Sequence, residues 1–266
     1  MFRQETDFST ENRHNYAVLQ RKGTKMIWNE NKTVSPHDLD LNNILSASGV
    51  LRFLQDAAYS QMYHNPPTMD ELRAEGKIFI LSRVAMSIYA PATVQEKLVS
   101  QSWACESKGF SFNRCCRLMR GEETIAELCA VWALVDADSR SLLRVEDYGQ
   151  SYENEPMLTL DAPSRIRIPR DTPLTLVGEY AVSYNDVDIN LHINNTNYPD
   201  ILCGFLPDMK GKRVSKISIA YVHEAPLGES IKIYLTRGDE DDSYYVRTVR
   251  ADGQTNVESY IELDNI

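Results

Sequence analysis

Residues 186–195 read DVDINLHINN, with Asp188, Asn190 and His192 alternating with Ile189 and Leu191. On extended backbone, alternate residues share a face. The spacing therefore predicts three polar side chains converging while the apolar ones anchor in the core. A carboxylate beside a histidine raises the basicity of the imidazole and orients it. An asparagine amide can donate to a carbonyl oxygen. A helix predicted to start at Asn195–Thr196 offers N–H groups that stabilise a developing oxyanion. Downstream, Glu224 adds a general base for water. The set suits hydrolysis of an activated acyl group. The plainer reading is a polar turn that caps a helix. A metal site made of Asp188, His192 and Glu224 lacks the paired-histidine spacing that usually marks one.

The element that positions this group occurs twice. DLDLN at 38–42 matches DVDIN at 186–190, and VAMSIYAP at 84–91 matches IAYVHEAP at 219–226. The interval from Asn to Pro is 91 − 42 = 49 residues in the first copy and 226 − 190 = 36 in the second. A 13-residue insertion around PPTMDELRAEGKIFI (66–80) in the first copy accounts for the difference. Two tandem units follow. The expected boundaries are a leader at 1–25, a first unit at 26–146, a linker at 147–170 and a second unit at 171–266. Aligned this way, His192 falls opposite Ile44 and Glu224 opposite Tyr89. The first copy keeps the Asp-x-Asn frame but lacks both ionisable groups, so the chemistry is expected in the second.

Each unit has one helix and a run of strands. SASGVLRFLQDAAYSQMY (46–63) carries a helical stripe at Val50, Leu54, Ala57, Ala58 and Met62. Strand-like runs follow at FILSRVAMSIYA, KLVSQSWACES, FSFNRCCRLMR and TIAELCAVWALVD, with short turns that imply antiparallel pairing. The second unit repeats the order with a shorter helix near 196–205 and a hairpin turn at ADGQ. The expected class is α+β, a sheet curled over a helix.

The chain has 266 residues, 42% apolar and 25% charged, with a formal net charge of −10. The acidic balance argues against nucleic acid as a general partner. No apolar run is long enough to span a bilayer. The N-terminal stretch has neither a secretory nor a transit-peptide pattern, and a cytoplasmic location is expected. Five Cys without a CxxC pair read as reduced thiols. Cys203, a conceivable nucleophile, lies among Ile201, Leu202 and Phe205 and reads as inert filling.

The motif DIDxNxHxNNxxY followed by Tyr-x-x-Glu resembles the acyl-acyl carrier protein thioesterases, and here the bacterial type. Its elements are Asp186, Asp188, Asn190, His192, Asn194, Asn195 and Tyr198, then Tyr221 to Glu224. FLQDAA (53–58), LSR (81–83) and AVWALVDADSR (130–140) extend the resemblance to about 26–266. It implies two tandem hotdog domains, each a long helix wrapped by an antiparallel β-sheet. It implies hydrolysis of a fatty acyl thioester on a carrier protein, without a cofactor or metal, and Asp188, Asn190, His192 and Glu224 as catalytic positions. Asn194 and Asn195 would help hold the substrate, and the acyl tail would lie in the first unit, shaped by Trp132 and the 66–80 insertion. Lys210, Lys212 and Arg213 would dock the acidic carrier, although a solvated loop is the plainer reading. Ala225 stands where many plant members have Cys, so no Cys–His–Asn mechanism runs through that position. The expected assembly is a monomer or homodimer, without membrane insertion. Rival functions are an acyl-CoA thioesterase, another hotdog enzyme such as a hydratase or dehydratase, or a non-catalytic acyl-binding protein.

Overall fold

The computed structural model describes residues 26–149, 153–166, 168 and 171–266. The expected leader at 1–25 and parts of the linker lie outside them. The first half contains β1 (Trp28–Thr33), α1 (Ala47–His64), α2 (Met69–Ala74), β2 (Lys77–Ile88), β3 (Lys97–Ala104), β4 (Phe112–Arg120), β5 (Glu123–Asp136) and a short β6 (Leu142–Leu143). The second contains β7 (Thr175–Ala181), α3 (Tyr198–Cys203), β8 (Lys212–Tyr221), β9 (Ser230–Arg237), β10 (Ser243–Val249) and β11 (Thr255–Asn265).

All these strands join one antiparallel sheet in the order β1-β3-β4-β5-β2-β8-β11-β10-β9-β7, with β6 on β5. The order reads the same from either end once β1 is matched to β7, β2 to β8 and β5 to β11. A two-fold pseudo-axis therefore passes through the β2–β8 seam, where Ala85 faces Ser218 and Met86 faces Ile217. The seam removes one edge from each half, which otherwise would expose unpaired backbone groups.

The repeated loop proves the duplication at atomic detail. Asp40 N–H donates to Ile44 O at 2.8 Å, and Asp188 N–H to His192 O at 3.0 Å. Asn42 N–H donates to the Asp40 carboxylate and Asn190 N–H to the Asp188 carboxylate, both at 2.8 Å. Asn43 and Leu191 close the two turns with φ of 62° and 61°. The copies lie 186 − 38 = 148 residues apart in the loop. Beyond the next strand, Leu45 N–H bonds Ala92 O as Ile193 N–H bonds Ala225 O, a spacing of 225 − 92 = 133. The extra length in the first copy is therefore 148 − 133 = 15 residues, not 13, and Glu224 lies opposite Pro91, not Tyr89.

That length goes into the helices. Ser46 caps α1 by accepting from Gly49 N–H at 3.0 Å, and Asn65 followed by two prolines ends it. The predicted stripe of Val50, Leu54, Ala57, Ala58 and Met62 is buried against the sheet. α2 is held by the reciprocal bonds of Thr68 and Glu71. At the position of α1 the second half has a 3-10 turn at Asn195–Asn197 and the six-residue α3, so its helix is short where the resemblance implied a long one. Pro199 sits in the first turn of α3, where its missing N–H costs nothing.

One apolar core runs through both halves, from Leu51 and Leu54 through Met86 and Ile217 to Ile231 and Val257. The segment after β6 crosses the sheet's other face. Trp103 Nε1 donates to Pro156 O at 3.1 Å, and Ser218 Oγ donates to Pro163 O at 2.7 Å, so it reaches from β3 to the seam. No helix among the described residues is long and apolar enough to cross a membrane. Leu54→Ala removes a fully buried side chain from this core. It is expected to lower unfolding stability by about 2–5 kcal/mol, read in a denaturant titration.

Candidate active site

The chain at 187–193 turns rather than extends. Val187 bridges to Ile193, Asp188 N–H bonds His192 O, and Leu191 N–H bonds Asp188 O at 3.0 Å. The alternation expected from an extended strand therefore does not hold. Ile189 and Leu191 are 87% and 59% exposed, not anchored in the core. The polar groups gather because the turn folds back on itself, with Asp188 and Asn190 at its tip and His192 on its returning arm.

Asp186 supplies the rigidity. Its buried carboxylate accepts from Ser183 N–H and Oγ at 2.7 Å each and from the Tyr180 hydroxyl at 2.6 Å. Burial pushes its pKa up, but these bonds outweigh burial and hold it below the ordinary value. Asp186 O accepts Asn194 N–H at 2.8 Å and Asn197 Nδ2 at 3.1 Å, which ties the turn to the following 3-10 segment.

On this frame His192 Nδ1 lies 3.2 Å from Glu224 Oε2. The pairing depends on the backbone bridge between His192 and Pro226 and on Ile193 N–H to Ala225 O at 3.0 Å. Glu224 and His192 are both open to solvent. The Asp188 carboxylate takes the Asn190 backbone N–H and, at 3.3 Å, one side-chain N–H of Asn190. His223 points elsewhere, its Nδ1 2.8 Å from Thr255 O, as expected of a structural residue.

The helix-start expectation narrows. Asn194 Oδ1 accepts from Thr196 N–H at 3.0 Å and Thr196 Oγ1 at 2.9 Å, and Asn194 O accepts Asn197 N–H at 2.9 Å. Asn194 is a cap, and two of the first amides are spent inside the chain. The Asn195 amide is the one left for a ligand. Its carbonyl is fixed by the Tyr221 hydroxyl at 3.1 Å, and Tyr221 packs edge-on against Tyr198 at 5.6 Å.

The first copy shows what the same loop does without chemistry. Asn42 Nδ2 donates to Met209 O at 2.9 Å and Lys212 O at 2.8 Å, and its Oδ1 accepts Gly211 N–H at 2.8 Å. It staples the two halves together. Asn190, its counterpart, is exposed and meets only Asp188. Ile44 is buried where His192 stands open.

The basic run does not form an exposed docking patch. Lys212 Nζ pairs with Asp242 at 2.8 Å, and Arg213 pairs with Asp264 at 2.7 Å while donating to Ile88 O, leaving the side chains 19% and 13% exposed. Only Lys210 stands out in solvent. The pairing of β8 with β11 sets Asp264 beside Arg213, and the turn before β10 sets Asp242 beside Lys212, which a reading along the chain does not reveal. Cys203 is pushed up to about 12 by burial, with Asp200 and Asp40 adding to it, so it is a poor nucleophile.

Two residues of α1 carry polar groups that sequence reasoning did not single out. The Tyr59 hydroxyl is raised by burial and then by the Asp188 charge, and its ring meets Trp132 edge-on at 6.3 Å. Gln55 is buried with its Nε2 unpartnered. Ser48, Gln55 and Tyr59 share one helical face, and Ser48 Oγ already receives Asp200 N–H at 3.0 Å from the opposite half. The spacing 48, 55, 59 was the available signal, hidden by the apolar stripe beside it. Trp132 lines a small, partly open cavity of about 30 Å³ with Met62, Phe79, Phe112 and Arg114. Phe79 belongs to the 66–80 stretch, and Leu72 packs beneath Phe112 in the same cluster. Among the described residues, no group of His, Cys, Asp or Glu is placed to hold a metal ion.

A sheet of this order over a central helix and its short counterpart is a tandem hotdog fold. Residues 172–265 match the family model of the acyl-ACP thioesterase C-terminal domain. The match covers the second half of the chain and ties that half to this family. Two solved structures share its fold. An acyl-ACP thioesterase from Bacteroides thetaiotaomicron aligns with a TM-score of 0.79 at 19% identity, over 90% of this chain and 98% of its own. A 12:0-ACP thioesterase from Umbellularia californica aligns with 0.78 at 13%, over 90% and 98%. No curated protein sequence matches.

The two asparagines separate structure from chemistry. Asn42→Ala is expected to cost about 1–3 kcal/mol of stability, because it removes three hydrogen bonds that join the two halves. Asn190→Ala should stay within about 0.5 kcal/mol of wild type. Thermal unfolding of the two variants side by side checks this.

Proposed function

We propose that the protein hydrolyses fatty acyl thioesters carried on acyl carrier protein, releasing free fatty acid and the carrier, and so ends fatty acid synthesis. The observation that carries the reading is the His192–Glu224 pair at 3.2 Å, set on a turn whose other copy has Ile44 and Pro91 instead. The family's carrier-linked substrate and the absence of both ionisable groups from the first copy support it.

The thioester carbonyl oxygen accepts from Asn190 Nδ2, which has a second N–H beyond the one given to Asp188, and from the Asn195 amide. These donors meet the oxygen where negative charge develops. Glu224, held by His192, takes a proton from water as the water oxygen bonds to the carbonyl carbon. The C–S bond then breaks, and a proton returns to the leaving thiolate through His192. Asp188, with both carboxylate oxygens engaged by Asn190, orients that amide. Direct attack by Asp188 would first have to release it. The acyl tail runs past Tyr59 and Trp132 toward the cavity in the first half. The carrier is recognised by surfaces other than Lys212 and Arg213, whose charges are spent internally.

Free fatty acid should be released from acyl-carrier protein faster than from the matching acyl-CoA. Asp188→Ala should lower kcat by roughly two to four orders of magnitude. Equal or better use of acyl-CoA would remove the carrier from this reading. Reversible hydration of a 2-enoyl thioester without acid release would replace hydrolysis altogether. In single-turnover reaction in oxygen-18 water, the label is expected in the released acid. Label in the Asp188 carboxylate would instead mean attack through a mixed anhydride.

A further inference from the structure

The floor of the cavity beside Trp132 holds a cation with no countercharge. Arg114 lies on β4 facing α1 and is 7% exposed. Its Nη1 donates to Gln61 Oε1 and to Ser102 Oγ, both neutral and both buried. A guanidinium has five N–H donors, so the three on Nε and Nη2 remain. Among the described residues, no protein acceptor meets them and no carboxylate pairs with Arg114. That edge is the planar fork that receives a carboxylate in two parallel bonds. Burying a charge without a partner is costly, and an apolar side chain of similar volume would suit a plain hydrocarbon tail better. Trp132 Nε1 is also buried and unpartnered, at the same cavity.

The Tyr59 ring meets Trp132 edge-on, and Trp132 and Arg114 share the cavity wall. An acyl chain attached at the turn and passing the two aromatic rings ends at Arg114. We propose that the site takes acyl chains whose far end bears a carboxylate, the half-thioesters of dicarboxylic acids, with the Nε–Nη2 edge of Arg114 receiving that carboxylate and Trp132 Nε1 adding a donor. This rests on the thioesterase reading for the position of the chain, but its recognition chemistry can be measured without turnover.

The test is equilibrium binding, by thermal shift and tryptophan fluorescence, of free dicarboxylic acids and of monocarboxylic acids of equal carbon count. Wild type should bind the dicarboxylate roughly tenfold or more tightly than its monocarboxylate partner, as a charge-assisted pair provides. Arg114→Met should abolish that ratio while still binding the monocarboxylate. Arg114→Lys keeps the charge but loses the fork, and should retain a reduced preference, which keeps the test decisive if the Met variant does not fold. Equal or stronger binding of the monocarboxylate by wild type would overturn the proposal, as would a preference that survives in Arg114→Met. Beside this, wild type is assayed on ω-carboxyacyl and plain acyl thioesters. Preferential binding without hydrolysis of either would sink the thioesterase reading and leave the tail site standing. Hydrolysis of both without a binding preference would do the reverse.

Discussion

The bond from Asp188 N–H to His192 O is the constraint from which the site follows. It closes a turn that puts one carboxylate and one amide at the tip and sends the imidazole back toward the strand end with Glu224. Asp186 makes the turn stiff by collecting donors from Ser183 and Tyr180. Without that anchoring, a solvent-exposed loop of this length would sample many arrangements, and a histidine–glutamate pair at its base would be worth little. The order comes from buried groups, while His192 and Glu224 stay open to solvent.

Duplication explains how one fold came to hold both a staple and a site. The two loops share their backbone bonds almost one for one, yet Asn42 spends all its hydrogen-bonding capacity across the seam and Asn190 keeps part of its own. A buried isoleucine in one copy and an open histidine in the other follow the same division. The longer α1 and the added α2 in the first half supply the wall around Trp132, Phe79 and Arg114. The second half, with its short α3, has no equivalent bulk. In the proposed reading, one half supplies chemistry and the other supplies depth.

Much of this was legible in the residues. The paired DxDxN stretches, the α1 stripe and the hairpin at 251–254 each carry a local signal, and their order implies an antiparallel α+β repeat. The pairing of His192 with Glu224 was suggested by their having no counterparts in the first copy, and the structure brings them to 3.2 Å. Three things were not legible. The period-two alternation of Asp188, Asn190 and His192 mimics a strand, and only the tertiary anchor at Asp186 and the positive φ of Leu191 turn it. The exact size of the insertion was blurred because Ala and Pro recur near both strand ends. The ion pairs of Lys212 and Arg213 join residues far apart in the chain, so charge along one loop misrepresented its surface.

The central claim is that the second copy of the turn performs the reaction and the first holds the halves together. Measuring kcat for acyl-thioester hydrolysis in Asp40→Asn beside Asp188→Asn puts it to the test, since the two changes are chemically the same at equivalent positions. Folded Asp40→Asn should keep kcat within a few-fold of wild type, and Asp188→Asn should fall by roughly a thousandfold. Equal losses in both, or activity retained in Asp188→Asn, would contradict the account.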